Sequence, residues 1–136
     1  MASTKLKGLA RVFTSNVGVI RPTNFHINPE AVADNKFIDA TSTLCAETAT
    51  MAAQAEFSNF VKTLSFYGIN PRIFEQENPR AVDAIFPDWF FTIKNPDIPG
   101  GVLISGSMFH PMRRLEYNEN IIRELKDEYA HFIDLS

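Results

Sequence analysis

Residues 83–92, Asp-Ala-Ile-Phe-Pro-Asp-Trp-Phe-Phe-Thr, constrain this chain more than any other stretch. An apolar turn is broken by Pro87, an acid follows at Asp88, and the run then passes into Trp89, Phe90 and Phe91. Proline cannot donate to a sheet ladder, so a strand starts after it. The aromatic residues that follow favour extended chain. The run therefore predicts a strand over Trp89–Ile93, with Asp88 held in front of it at the mouth of a cleft. Successive strand residues face opposite sides, so Trp89 and Phe91 share one face and Phe90 takes the other. Both faces are then apolar at one point. Phe86, Trp89, Phe90 and Phe91 are accordingly candidate interaction residues.

Around this run the chain divides into short elements. Asn16–Ile20 reads as a strand ended by Arg21-Pro22, and residues 22–40, with two prolines, read as a long ordered loop. Glu47–Phe66 has near-helical apolar spacing through Met51, Ala55, Phe57, Val61 and Leu64, with Gly68 as the stop. Arg72–Glu75 reads as a strand. Asn95–Gly101 is a turn, and Val102–Ser105 returns as the second half of a hairpin. Asn118 is the expected N-cap of a helix reaching Phe132, with Ile121, Ile122, Leu125 and Tyr129 inward. Glu119, Glu124, Asp127 and Glu128 then face water. The order β-α-β-β-β-α predicts an α/β fold with a mixed sheet.

Composition removes several functions. With 45% hydrophobic and 21% charged residues, the chain can bury a core and is not disordered. Its net charge of −3 excludes nucleic acid as a main partner, because phosphate binding requires a basic surface. No run approaches the roughly 20 apolar residues of a membrane span. One cysteine, Cys45, precludes an internal disulfide. Between Leu44 and Ala46 it reads as a small buried hydrophobe, the alternative being a thiol activated at a helix N-terminus. His26, His110 and His131 lack metal-ligand spacing, so no metal and no other cofactor is expected. The first acidic residue is Glu30, after Lys5, Lys7, Arg11 and Arg21. Leu6, Leu9, Ala10 and Phe13 share a helical face. Residues 1–15 thus have the composition of a mitochondrial targeting segment, or of a solvated basic arm on a cytoplasmic protein. Residues 16–136 form the domain.

Several segments resemble one family in order. Arg21-Pro22-Thr23-Asn24-Phe25-His26-Ile27-Asn28-Pro29-Glu30 resembles the Arg-Pro-x-Asn-Phe-x-x-Asn-x-Glu segment of amidinotransferase-like proteins, and Asp34-Asn35-Lys36-Phe37 continues it. Glu56-Phe57 and Tyr67-Gly68-Ile69 follow. Residues 83–92 resemble the signature Asp-Ala-Ile-Phe-Pro-Asn-Asn-Trp-Phe-Ser-Thr-His. Met108 to Glu116 resembles a stretch carrying paired arginines and a glutamate. The chain is thereby similar to the guanidine-modifying, or pentein, superfamily, and within it to the citrulline-utilisation hydrolase branch.

The resemblance implies a partial pentein-type fold: about two ββαβ-like modules with a mixed sheet and two main helices. It also implies a guanidine site. A guanidinium presents a planar fork of donors that carboxylates and amide oxygens match, and the family position after the Phe-Pro turn maps onto Asp88, with Asn24 and Asn28 as neighbours. Arg113 and Arg114 are placed to hold a substrate carboxylate. The plainer reading makes Asp88 a turn cap and pairs the two arginines with Glu116 and Glu119.

Departures from the family pattern weaken the catalytic reading. One residue is missing between Pro87 and Trp89, and Ile93-Lys94 stands where the family has histidine. The family's nucleophilic cysteine and general-base histidine belong to modules with no counterpart in these segments. The expectation is a truncated, non-catalytic amidinotransferase-like protein, an accessory subunit of a larger, mitochondrial assembly or a homo-oligomer, for which no small-molecule substrate is expected. The alternative is a hydrolase or amidinotransferase fragment completed by a second chain that brings the cysteine and histidine.

Overall fold

The computed structural model describes residues 15–136 other than Asp34 and Ala40. The expected basic N-terminal arm, residues 1–15, lies outside the described residues except at Ser15.

Two sheets share one core. Strand β1 (Asn16–Arg21) pairs in parallel with β2 (Asn70–Glu75), from Asn16 opposite Asn70 to Arg21 opposite Glu75. Parallel neighbours need a crossover, and helix α1 (Ala46–Phe66) supplies it. Its end is a Schellman motif: Gly68 N–H donates to Ser65 O and Ile69 N–H to Leu64 O, both at 3.0 Å. This geometry requires the left-handed φ of 78° that Gly68 adopts. Phe57, Val61 and Leu64 are half-buried as expected, whereas Met51 and Ala55 are exposed and no residue of α1 is fully buried.

The second sheet has the order β3-β4-β5. Strand β3 (Phe90–Asn95) runs antiparallel to β4 (Ile98–Gly106), with Phe90 opposite Ser105 and Asn95 opposite Ile98. The hairpin turn is therefore tighter than the expected Asn95–Gly101. Gly100 and Gly101 lie inside β4 with φ of 77° and 71°, beside a register shift between Ile93 and Asn95. A Cβ on Gly101 would lie 2.7 Å from the Ile93 carbonyl oxygen, and one on Gly100 2.4 Å from Ala130 Cβ. Only glycine permits both approaches.

After β4 come α2 (Pro111–Arg114), α3 (Glu119–Lys126) and β5 (His131–Leu135), which pairs in parallel with β4. The expected helix to Phe132 is corrected here, since it stops at Lys126 and the chain turns into a strand. Tyr129 and Phe132 are half-buried against the core, which gives them helix-like apolar spacing. What makes 131–135 extended is the free edge of β4. The cap itself is as expected, Asn118 accepting from the Asn120 and Ile121 amides at 2.9 and 3.2 Å. The architecture is α/β with a mixed second sheet. β3-β4-α3-β5 is one ββαβ unit, and β1-α1-β2 repeats its last three elements.

Ile20 and Phe74 from the first sheet pack with Ala81, Ala84, Trp89, Leu103, Ile121, Ile122 and Leu125. Trp89 corrects a second expectation. Strand β3 begins one residue later, and Trp89 turns inward at 2% exposure, its ring 4.6 Å from Phe90 and 5.2 Å from Tyr117. Phe90 is half-buried on the same core, so only Phe86 and Phe91 of the four aromatic candidates are exposed. Polar ties join the first sheet to α3 and the turn after it: Arg72 on β2 pairs with Glu124 at 3.0 Å and with Glu128. Among the described residues, no helix is long and apolar enough to cross a membrane.

Leu103 is fully buried at the centre of β4. Leu103→Ala is expected to cost about 2–5 kcal/mol, seen as a lower urea midpoint with an unchanged slope. Wild-type stability in this variant would mean that the two sheets do not depend on a common core.

Candidate functional site

The loop after β1 and the turn before β3 are brought together by amide side chains. Asn24 Nδ2 donates to the Pro79 carbonyl, and Gln76 Oε1 accepts from the amides of Thr23 and Asn24 at 3.1 and 3.4 Å. Asn28 is 1% exposed; its Nδ2 donates to Asp83 Oδ2 at 2.7 Å while its Oδ1 accepts from the Glu30 amide at 3.0 Å. Glu30 in turn accepts from the Met112 amide at 2.9 Å, fixing the loop to the start of α2. Of the two expected asparagines only Asn28 lines the cavity, and among the described residues neither bonds to Asp88. Asn24 serves the loop framework and Asn28 orients Asp83.

Asp88 is engaged by Arg113. Arg113 Nη2 donates to Asp88 Oδ1 at 2.5 Å and Nη1 to Oδ2 at 3.2 Å, a fork on both carboxylate oxygens. The same guanidinium donates to Glu116 from Nε at 2.7 Å and from Nη2 at 3.0 Å, and to the Phe86 carbonyl at 3.1 Å. Its side chain is 16% exposed, that of Asp88 59%, and that of Glu116 not at all. Arg114 lies apart from this cluster, donating to the carbonyls of Met108 at 2.9 Å and Phe109 at 3.1 Å. The pairing of Arg113 with Glu116 is therefore present, while Arg114 makes no ion pair with Glu119 among the described residues.

Titration behaviour follows from this packing. Burial works against the charge on Arg113, but its hydrogen bonds to Glu116 and Asp88 outweigh that and raise it above the usual arginine range. Burial raises the Glu116 carboxyl, Arg113 opposes the rise, and the charges of Asp88 and Asp83 add to it. Cys45 is not buried, contrary to expectation. It is exposed at the N-cap of α1, and its thiol is lowered by the Thr48 hydroxyl 3.2 Å away and by the Thr48 amide.

A cavity of about 570 Å³ opens between these pieces. Phe25, Ile27 and Phe86 give it apolar walls, Asn28 and Asp83 one polar edge, and Arg113 another; His26, Asp39 and His110 also line it. Asp88 and Cys45 are not among its lining residues. Asp83 lies outside the sequence-predicted site, since the family motif points to the acid after Pro87. The available signal was that both acids flank one short apolar turn. Among the described residues, no three His, Cys, Asp or Glu side chains cluster in a way that could hold a metal ion.

The scaffold is α/β, built of repeated β-α-β units, and its cleft joins the loop after β1 to the turn before β3 and to Arg113. Residues 21–136 match the family described as N,N dimethylarginine dimethylhydrolase, eukaryotic. The chain belongs to this family, within the pentein superfamily of guanidino-group hydrolase-related proteins. No curated protein and no solved structure gives a significant match.

Because Glu116 holds its proton more tightly folded than unfolded, its contribution to stability falls as pH rises from the ordinary carboxyl value through its raised folded value. Arg113→Ala removes the guanidinium that opposes that fall among the described residues. It is expected to destabilise the protein by about 3–5 kcal/mol at neutral pH, with recovery when Glu116→Gln is added. Equal loss in the single and double variants, measured by denaturant titration, would show that the buried acid is not the cause.

Proposed function

We propose that this chain is a non-catalytic accessory subunit of a larger assembly, built on the scaffold of a guanidino-group hydrolase family. The observation that carries this reading is the occupancy of Asp88. Both of its oxygens already receive a guanidinium fork from Arg113. A substrate guanidinium at Asp88 would have to compete with Arg113, which the fully buried Glu116 side chain holds in place from Nε and Nη2. The acid that the motif assigns to guanidine recognition is thus a structural counter-ion.

Surface chemistry supports association. Phe60 and Phe66 on α1, Phe86 and Phe91 on either side of Trp89, and Ile133 and Leu135 on β5 are all exposed. Strands β1, β2, β3 and β5 each leave one side unpaired within the described sheets, and open edges beside apolar patches favour a protein partner. The basic composition before Glu30 supports a mitochondrial setting for that assembly. The motifs over residues 21–30 and 83–92 support placement beside the citrulline-utilisation branch.

A second reading draws on the 570 Å³ cavity, whose lining sets Asp83 beside the apolar Phe25, Ile27 and Phe86 and so suits a cationic guanidino tail. In it the chain recognises a guanidino amino acid and a second polypeptide supplies the cysteine and histidine. Two measurements separate the readings. Incubation with dimethylarginine, arginine or citrulline is expected to release no amine, ammonia or urea, and sedimentation is expected to show self-association or a bound partner. Turnover by the chain alone, or a dilution-resistant monomer, overturns the accessory reading.

Calorimetry with dimethylarginine tests the second reading. Heat that disappears in Asp83→Asn but persists in Asp88→Asn favours ligand recognition in the cavity. No heat at millimolar ligand leaves the accessory role as the explanation.

A further inference from the structure

Helix α1 lacks the charge that a solvated helix normally carries on its outer side. Its 21 residues hold three charges, Glu47, Glu56 and Lys62. The half-buried residues Ala53, Phe57, Val61 and Leu64 mark its inward side. With 3.6 residues per turn, the opposite side presents Glu47, Met51, Ala55, Lys62 and Phe66, all of them exposed. Met51 is 64% and Phe66 82% exposed, as is 60% of Leu44 just before the helix. The Tyr67 ring stands edge-on to Phe66 at 5.2 Å and enlarges the apolar end. A helix that is apolar on both sides is one that is covered on both, and the described residues cover only the inner one.

The two charges on this outer side say what fits it. Glu47 and Lys62 are fifteen residues apart, about four turns, and so lie on one flank. That is too far to pair within one helix, where partners stand three or four residues apart. Among the described residues neither has a hydrogen bond or an ion pair. A second copy of the same helix carries the complement of each. Parallel packing would set Glu47 against Glu47 and Lys62 against Lys62, whereas antiparallel packing exchanges them.

We propose that α1 packs antiparallel against α1 of a second copy of this chain, about a two-fold axis at Ala55. Positions equally distant from Ala55 then face each other. Glu47, eight residues before it, comes beside the partner's Lys62, seven residues after it, and the symmetry makes this pair twice. Leu44 and Phe66 each lie eleven residues from Ala55, so each exposed apolar end covers the other. Ala55 brings only a methyl group to the axis, which permits the interaxial distance of about 8–10 Å of packed helices. The inference rests on the accessory reading and names the surface and the partner for the self-association proposed there.

Sedimentation of the full chain over a concentration series tests the contact. The wild type is expected to be a dimer that dissociates on dilution. Lys62→Glu sets like charges together twice across the axis and is expected to weaken association at least tenfold, as is Glu47→Lys. The variant carrying both changes restores the two pairs with their signs exchanged and is expected to recover most of the loss. All of these side chains are exposed, so an unchanged circular dichroism spectrum is expected in each variant. Undiminished association in both single variants, or no recovery in the double one, overturns this contact and leaves the accessory role standing on another surface. A dilution-resistant wild-type monomer overturns it as well. Turnover of dimethylarginine by the chain would instead end the accessory role without touching the contact.

Discussion

The contact on which the rest of the site depends is the Arg113 guanidinium. It reaches the Phe86 carbonyl, the Asp88 carboxylate and the Glu116 carboxylate from one rigid plane. The turn before β3 is thereby fastened to the segment joining α2 and α3. Lysine could not do this, since its point charge has no fork to span three acceptors. The pair also sets the electrostatics: Glu116 tolerates full burial because a guanidinium lies against it, and Asp88, although exposed, is committed to the same group.

The two sheets show how differently a βαβ unit can be covered. In the second, β4 lies between β3 and β5, and α3 buries Ile121, Ile122 and Leu125 against it. In the first, β1 and β2 stand as a pair, and α1 lies over them without burying a residue completely. A cleft of about 720 Å³ remains between α1, β1 and the Ile85–Pro87 turn. The hydrophobic effect scales with the apolar area removed from water, so the first unit gains less from its own helix than the second does. The exposed rings of Phe60, Phe66 and Phe86 are the visible consequence.

Much of this was legible in the chain because local rules suffice for it. Pro87 places the start of β3 to within one residue, Gly68 ends α1 through a left-handed φ, and Asn118 caps α3 with its own side chain. The ordered motifs over residues 21–116 also led to the correct superfamily. Composition and periodicity reach this far because caps, turns and apolar spacing act within a few residues.

Tertiary structure decided what depends on distant partners. Residues 131–135 are a strand because β4 offers an unpaired edge, although their apolar spacing continues that of a helix. Trp89 turns inward because Phe90 and Tyr117 wait there, and Gly100 and Gly101 sit within a strand because Ala130 and Ile93 approach their backbones. Asn28 meets Asp83 across 55 residues, and Arg113 meets Asp88 across 25. The sequence determined which groups were available: two acids around a Phe-Pro turn, buried-capable amides and a pair of arginines. Which acid met which cation was decided only in space, because charge pairing is a matter of distance and burial that no local pattern encodes.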